Sequence, residues 1–399
     1  MNLTRTFTGA YREVPENFNI ARNTLAPAPG RFISPWLEVS RDKFDLKRWN
    51  PAYFRRLKDF VAQAGRRGIV VELSLFCPFY EESMWEVSPQ NAKNNVNGIG
   101  TLKRTEAYTL NNGELLAVQD AMVRKVVAEL KGFDNLLYEI CNEPYFGGVT
   151  MEWQHHIADT IVTAEASFKN KHLIAQNIAN YSAKIEKPHP AVSLFNFHYA
   201  RPPEAVAVNY GLNKAIGYDE TGFDGTADAT YRVQAWDFLV AGGATYDHLD
   251  YSFVAGQEDG TFQYPATQPG GGSPELRRQF RILKDFLESL DFVRMRPDNS
   301  VIRGGLPDGA SGRVLAESGA QYAIYIHHGK LVKGAKPQYQ VDAGRKTATL
   351  SLNLPPGTYQ TEWVDTKTGA VAKRESISGS GEVTSPPYGE DIALRLKRR

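Results

Sequence analysis

The stretch NLLYEICNEP, residues 135–144, is the part of the chain that decides the fold. Its first seven residues are mostly apolar and predict a β-strand buried on both faces, as in a parallel sheet covered by helices. The stretch ends in Glu143 and Pro144, so a carboxylate stands directly after the strand and before a turn. The C-terminal ends of barrel strands are where active sites form, which makes Glu143 a candidate functional residue.

Predicted strands and helices alternate on both sides of this stretch, up to about residue 292. The predicted helix at 51–65 has an apolar stripe of Phe54, Leu57, Phe60, Val61 and Ala64, which recurs at helical spacing. Strands are expected at 3–9, 69–76, 135–142, 172–178, 192–199, 214–220 and 245–254, and helices at 51–65, 114–131, 151–169, 227–241 and 274–290.

The pattern changes after residue 295, where helical periods disappear and short alternating strands begin. Strands are expected around 322–326, 348–352 and 359–364, with turn signals between them. This is typical of a small antiparallel sandwich. We therefore predict an α/β domain over residues 1–294 and an all-β sandwich domain over residues 295–399.

Composition excludes several classes of protein. The chain has 399 residues, with 46 Lys and Arg against 45 Asp and Glu, and a formal net charge of +1. That balance lacks the basic excess of a protein that binds nucleic acid or an anionic membrane surface. The apolar runs are too short to span a membrane, and two cysteines are too few for a disulfide scaffold or a multi-cysteine zinc site.

A second predicted strand also ends in a carboxylate. Residues 214–222 read KAIGYDETG, and Glu220 follows the apolar part of this run. The strand before it ends in His198 and Tyr199. Two carboxyl groups on different strand ends suit glycoside hydrolysis, in which one protonates a departing oxygen and the other attacks, or activates water against, the anomeric carbon.

These motifs resemble those of the clan A glycoside hydrolases, the four-seven superfamily, and especially its cellulase-like members. Asn142-Glu143, His198-Tyr199 and the strand that ends in Glu220 follow one another in the order of that clan. The resemblance implies a retaining enzyme on a (β/α)8 TIM barrel. Glu143 would be the acid/base and Glu220 the nucleophile, in a double displacement at O-glycosidic bonds of a β-linked oligosaccharide or polysaccharide.

The same resemblance implies supporting roles for further residues. Asn142 would contact the sugar 2-hydroxyl, Tyr199 would hydrogen-bond the nucleophile beside His198, and Arg5 would brace the nucleophile carboxylate. It implies a carbohydrate substrate and neither a metal nor an organic cofactor. Three aromatic residues are candidates for stacking on a sugar, with core or loop packing as the alternative for each: Trp85, Tyr145 and Tyr251.

Departures from the cellulase-like pattern leave the sugar and the linkage open. Those members often carry a His near the end of strand three, where this chain has Leu75-Phe76-Cys77-Pro78, and a Trp after strand eight, where it has Asp250-Tyr251-Ser252-Phe253. The C-terminal segment resembles the sandwich that follows the barrel in several bacterial glycosidases, a type named for collagen binding. Its residues give no sign of collagen recognition.

The predicted strands number one fewer than a complete barrel has. Seven are expected before residue 295, and Glu143 and Glu220 stand on the third and sixth rather than on the fourth and seventh. We therefore expect a (β/α)8 barrel that lacks its first β/α unit. An N-terminus that extends upstream would favour a secreted or periplasmic protein, and otherwise a cytoplasmic one is expected. The oligomeric state stays open.

Three alternatives stay open at this point. Asp219 and Asp224 lie near Glu220 in sequence, and either could be the nucleophile instead. Glu72 and Glu139 lie inside apolar strands and are expected in a buried, paired network rather than in catalysis. A carbohydrate-binding barrel without activity, or an adhesion protein that works through the sandwich, is the alternative to an enzyme.

Overall fold

The computed structural model describes residues 2–15 and 17–399 of the chain. Up to residue 288 its strands and helices mostly alternate, apart from one early hairpin, one pair of successive helices and one later pair of strands without a helix between them. In chain order they are β1 (Leu3–Phe7), β2 (Trp36–Ser40), β3 (Lys43–Trp49), α1 (Pro51–Gly65), β4 (Val70–Phe76), α2 (Glu82–Glu86), α3 (Gly113–Leu130), β5 (Leu136–Cys141), α4 (Met151–Ala164), β6 (Leu173–Asn180), β7 (Val192–His198), α5 (Glu204–Asn209), β8 (Ala215–Glu220), α6 (Asp228–Val240), β9 (Thr245–Tyr246) and α7 (Pro274–Glu288).

Seven of these strands form one sheet in the order β1-β4-β5-β6-β7-β8-β9. The pairs β1–β4, β4–β5, β5–β6 and β8–β9 are parallel. The strand order follows the chain, and helices stand between most successive strands of the sheet, although β7 follows β6 without one. This is the TIM-barrel pattern. The structure therefore confirms the predicted fold class and the predicted number of strands. Strands β2 and β3 pair with each other in a separate antiparallel hairpin.

The last strand of the sheet is much shorter than predicted. Only Thr245–Tyr246 is a regular strand, whereas alternation in the sequence extends to residue 254. The backbone N–H of Asp247 still donates to the Tyr218 carbonyl at 2.8 Å, so the chain continues beside β8 for a few residues. Asp250 then accepts the N–H of Ser252 at 3.0 Å, and this Asx turn ends the extended segment.

The chain divides into two compact units. The first comprises the described residues up to Phe197 together with Asn213–Ala215, and the second comprises His198–Leu212 and Ile216–Arg399. The predicted domain boundary between residues 294 and 295 stays a prediction. No helix in residues 2–15 and 17–399 is both long and apolar enough to cross a membrane.

In the first unit, the inner face of the sheet carries apolar and polar side chains together. Leu137, Ala175 and Leu194 form an apolar cluster. Glu72 and Glu139 are fully buried on neighbouring strands. Asn196 Nδ2 donates to Glu72 Oε1 at 2.6 Å, and the Ser74 hydroxyl donates to Glu139. Both carboxyl groups are thus buried and hydrogen-bonded to neutral side chains, while the pairing that the sequence predicts stays a prediction.

After residue 295 the strands are short and antiparallel. They are β10 (Arg296–Pro297), β11 (Ile302–Gly304), β12 (Ser311–Glu317), β13 (Gln321–His327), β14 (Gly329–Leu331), β15 (Tyr339–Val341), β16 (Thr349–Leu352), β17 (Thr358–Val364), β18 (Val371–Ser378), β19 (Gly381–Thr384) and β20 (Asp391–Arg398). They form a six-stranded sheet in the order β10-β12-β13-β20-β17-β18, a three-stranded sheet in the order β11-β16-β19, and the hairpin β14-β15.

The six-stranded sheet is covered on both faces. On one face Trp363 and Ile324 share an apolar core with Leu350 of the three-stranded sheet, which confirms the predicted sandwich. On the other face Tyr325 stacks on Trp236 of α6, with 5.3 Å between ring centroids, and α7 contributes to the same core. The identification of this C-terminal sandwich with the type named for collagen binding stays a prediction.

Candidate active site

Glu143 stands two residues beyond the end of β5 in a strained backbone conformation. The N–H of Asn142 donates to the Phe76 carbonyl at 2.9 Å, so the chain is held beside β4 up to the residue before Glu143. The φ angle of Glu143 is then +38°, in a region that residues other than glycine rarely adopt. Such strain, roughly 1–3 kcal/mol, is concentrated at functional sites. The turn that sequence predicts after the strand therefore places Glu143 in a candidate site.

Two tyrosine hydroxyls donate hydrogen bonds to the buried Glu143 carboxylate. Tyr80 donates to Oε2 at 2.7 Å and Tyr145 donates to Oε1 at 3.1 Å. The Tyr145 hydroxyl also lies 2.5 Å from Asn180 Oδ1. Hydrogen bonds to a carboxylate favour its ionised form. The two neutral hydroxyls therefore hold the Glu143 carboxylate in a defined orientation without adding a positive charge beside it.

Asn142 links this carboxylate to Arg5. Arg5 Nη1 donates to Asn142 Oδ1 at 2.9 Å, and Asn142 Nδ2 donates to the Tyr80 hydroxyl at 2.9 Å. The amide is thereby fixed between a cation and a phenol. Cys77 lies beside it, with Sγ 3.5 Å from Asn142 Nδ2, and burial raises the pKa of this thiol. The structure thus brings Arg5, Asn142 and Glu143 together, while the brace from Arg5 to the nucleophile stays a prediction.

Sequence reasoning named neither Tyr80 nor Asn180 as a partner of the candidate acid/base or of its neighbours. Tyr80 lies in the long loop after β4, and Asn180 is the last residue of β6. The rule that strand ends build the site applies to Asn180 as it does to Glu143. Its side chain carries no charge, so nothing in the sequence distinguished it from an ordinary polar residue at a strand end.

The second unit holds the other predicted carboxylate. Glu220 is the last residue of β8, and the Tyr199 hydroxyl donates to its Oε1 at 2.9 Å. Tyr199 has a φ of +51°, and its backbone N–H donates to the Glu220 carbonyl at 2.9 Å. The fully buried His198 has Nδ1 3.7 Å from Glu220 Oε1 and Nε2 3.4 Å from Asp219 Oδ1. The side chains of His198, Tyr199 and Glu220 therefore lie close together.

Asp224, an alternative nucleophile, is engaged in a buried network. Its carboxylate forms an ion pair with Arg201 Nε and accepts from Gln234 Nε2 at 3.0 Å. Burial lowers the pKa of Arg201, but Tyr218 and Asp224 outweigh that effect and leave its pKa raised. Asp224 also lies beyond the end of β8, whereas Glu220 is the last residue of that strand. This favours Glu220 over Asp224.

The predicted sugar-stacking residues lie in different environments. Trp85 is only 2% exposed, and its ring packs 4.9 Å from that of Phe79, so the structure does not support a stacking role for it. Trp85 lies in the short helix α2 and is buried there, which agrees with the alternative of packing that the sequence left open. Tyr145 is 36% exposed, and Tyr251 is half-buried. Stacking by Tyr145 and Tyr251 stays a prediction.

Comparison with known proteins finds similarity only at the level of structure. No family model matches the chain, and no curated protein matches it. A protein from Bacteroides vulgatus provisionally assigned as a glycoside hydrolase covers 100% of this chain and 73% of its own, with 14% identity and a TM-score of 0.61. A glycoside hydrolase family 5 protein from the same organism covers 87% of this chain and 74% of its own, with 14% identity and a TM-score of 0.56.

An enzyme with a stated activity is also similar. The endo-beta-1,4-mannanase from Thermotoga petrophila covers 95% of this chain and 91% of its own, with 13% identity and a TM-score of 0.50. At sequence identities this low, structural similarity shows a shared fold and no more. Function on a widely used fold has to be argued from the side chains at the site.

Proposed function

We propose that the protein is a retaining glycoside hydrolase in which Glu143 and Glu220 act together on one O-glycosidic bond. One observation carries the proposal: two buried carboxylates, each hydrogen-bonded to a tyrosine hydroxyl, stand at the C-terminal ends of two strands of one parallel sheet. Barrel active sites are built from that end of the strands. In the strand order, β6 and β7 separate β5 from β8, the spacing of a strand-four and strand-seven pair.

Glu220 is the proposed nucleophile and Glu143 the proposed acid/base. Glu220 attacks the anomeric carbon while Glu143 gives its proton to the departing oxygen, which leaves a glycosyl ester on Glu220. Glu143 then takes a proton from water, and the water oxygen displaces Glu220 from the anomeric carbon. Tyr199 supports the first step, because its hydroxyl on Oε1 holds the nucleophile in place.

Asn142 is proposed to contact the sugar 2-hydroxyl, and Arg5 fixes the orientation of its amide. The substrate class we propose is a β-linked oligosaccharide or polysaccharide. The structural likeness to an endo-beta-1,4-mannanase supports that class by analogy of fold.

The proposal is tested with a panel of aryl β-glycosides and β-glucans or β-mannans. The wild-type protein is expected to hydrolyse at least one of them. Glu143→Gln should lower kcat/KM on the β-glucans or β-mannans by a factor of roughly 10³, since general acid–base catalysis contributes about 10²–10⁴. Glu220→Gln removes the nucleophile and should lower kcat/KM on every substrate of the panel at least as much. The exposed Glu258, which accepts the N–H of Gly256 at 2.8 Å, provides the control variant Glu258→Gln, expected to match wild type.

Added azide separates the two roles. In Glu220→Ala, azide should occupy the vacated nucleophile position and yield a glycosyl azide of inverted configuration. In Glu143→Ala, azide should yield a glycosyl azide of retained configuration. Binding of glycans without cleavage across the panel would contradict the proposal and favour a binding protein. Full activity of Glu220→Gln with loss of activity in Asp224→Asn would move the nucleophile to Asp224.

A further inference from the structure

The Tyr145 hydroxyl lies between two hydrogen-bond acceptors. Its oxygen is 3.1 Å from Glu143 Oε1 and 2.5 Å from Asn180 Oδ1. A phenol carries one hydrogen and can also accept through its lone pairs. Tyr145 can therefore donate to Glu143 or to Asn180, but not to both at once.

We propose that Tyr145 and Asn180 are positioning residues that follow the protonation state of Glu143, an inference that rests on the proposed function. With Glu143 ionised, Tyr145 donates to Oε1. With Glu143 protonated, Oε1–H donates to the Tyr145 oxygen, and the Tyr145 hydrogen turns to Asn180 Oδ1. The chain of hydrogen bonds reverses, and each form of the acid/base keeps its partner.

Tyr80 determines which oxygen of Glu143 carries the proton. The Tyr80 hydroxyl accepts from Asn142 Nδ2 at 2.9 Å, which directs its own hydrogen to Glu143 Oε2 at 2.7 Å. Because Oε2 receives that hydrogen in both states, the exchangeable proton belongs on Oε1. Oε1 is the oxygen that Tyr145 contacts.

Other titratable groups act on Glu143 and remain unchanged in the variants below. Burial raises the pKa of the Cys77 and Cys141 thiols, so both are neutral at physiological pH. Arg5 acts through Asn142. Under the proposed function, Glu220 and His198 would be further groups that influence its charge.

The two residues should have opposite effects on the protonation of Glu143. Tyr145→Phe removes a hydrogen bond to the ionised form, and such charge-assisted bonds are about twice as strong as neutral ones. Asn180→Ala removes support for the protonated form, because it removes the acceptor Oδ1 to which the Tyr145 hydrogen turns in that form. The protonation midpoint should rise by about one pH unit in the first variant and fall by about half a unit in the second.

The test is a carboxyl carbon NMR titration of the full chain, with the Glu143 signal assigned by its absence in Glu143→Gln. Asn180→Asp keeps an acceptor for Tyr145 and adds negative charge, so it should raise the midpoint and serves as a second variant at that position. Tyr210→Phe, which removes a hydroxyl from an exposed tyrosine of the second unit, is the control and should leave the midpoint unchanged. Shifts of the same sign in Tyr145→Phe and Asn180→Ala, or no shift in either, would overturn the switch.

Kinetics separate this inference from the proposed function. If glycosides are hydrolysed, the basic limb of the kcat/KM profile should move with the NMR midpoint in each variant. If the protein hydrolyses glycosides but the Glu143 midpoint does not shift in opposite directions in Tyr145→Phe and Asn180→Ala, the proposed roles of Tyr145 and Asn180 are overturned and the proposed function is not. Opposite NMR shifts in a protein that cleaves no glycoside support the switch and contradict the proposed function.

Discussion

At the residue scale, neutral phenols organise both candidate carboxylates. Glu143 accepts from Tyr80 and Tyr145, and Glu220 accepts from Tyr199. A phenol donates a hydrogen bond without adding a full charge, so it orients the carboxylate and still permits a change of protonation. That property suits an acid/base, which gains and loses a proton in each catalytic cycle.

Tyr199→Phe tests the support given to the nucleophile. The variant removes the 2.9 Å hydrogen bond to Glu220 Oε1 and keeps the ring. A hydrogen bond to a charged group contributes about 1.5–3 kcal/mol, so kcat/KM should fall roughly 10- to 100-fold. Steady-state kinetics on the best substrate measures this. The exposed Tyr210 provides the control Tyr210→Phe, and equal activity of both variants would refute the role of Tyr199.

The sequence predicted the position of several candidate residues at strand ends, while their catalytic roles stay predictions. Glu143, Glu220 and the His198-Tyr199 pair all follow apolar runs, and the structure places each at or just beyond a strand end. For Trp85 the sequence left sugar stacking and packing open, and the side chain is buried, because exposure depends on contacts that a local sequence pattern does not contain. Tyr80 reaches Glu143 across 63 positions of sequence, a contact that only the fold creates.

At the element scale, local signals located most helices and strands. Helix α1 begins at Pro51 because Asn50 accepts the N–H of Ala52 at 3.0 Å, and α7 begins at Pro274 because Ser273 accepts that of Leu276 at 2.9 Å. Phe60 fits the apolar stripe of α1 and is nevertheless 41% exposed. Periodicity identifies the buried face of a helix, but it does not show whether neighbouring elements bury the residues at the edge of that face.

The segment after β9 carries a pH-dependent contribution to stability. His248 is buried, with its ring 5.2 Å from Phe280, and burial lowers its pKa to about 4 from the usual 6.5. The folded state therefore holds it neutral, while the unfolded state takes up a proton first as pH falls. Its contribution is complete above pH 6.5 and is lost towards pH 4, by up to roughly 1.4 kcal/mol per pH unit.

His248→Phe should reduce this loss on acidification. Urea unfolding at pH 7 and pH 5 measures it, and the difference in unfolding free energy between the two pH values should be smaller in the variant. An unchanged difference would show that other groups cause the acid sensitivity.

At the scale of the whole molecule, the second unit joins the end of the parallel sheet to the antiparallel strands. Arg232 of α6 lies buried against Asp391 of β20, with Nη2 2.7 Å from Oδ1, and the Tyr325 hydroxyl donates to the same carboxylate at 2.8 Å. Helices α6 and α7 share an apolar core with the six-stranded sheet. Periodicity shows where the element type changes, near residue 295, but not which helices the new sheet packs on.

Arg232→Met tests this connection. Removing one partner of a buried ion pair leaves an uncompensated charge and should lower the free energy of unfolding by about 3–5 kcal/mol. The double variant Arg232→Met, Asp391→Leu removes both charges and should recover most of that loss. Urea denaturation measures both, with the exposed Arg281→Met as control. A double variant no more stable than the single one would contradict this interpretation of the pair.

The central claim is that Glu220 forms a covalent bond with the sugar while Glu143 transfers the proton. The most direct measurement uses the 2-deoxy-2-fluoro analogue of whichever aryl glycoside the protein hydrolyses, followed by mass spectrometry of its peptides. The account predicts one added fluoroglycosyl group on the peptide that contains Glu220, at unit stoichiometry, and none in Glu220→Gln. A label on Asp219, Asp224 or any other residue, or hydrolysis of the parent glycoside with inversion of configuration, would contradict it.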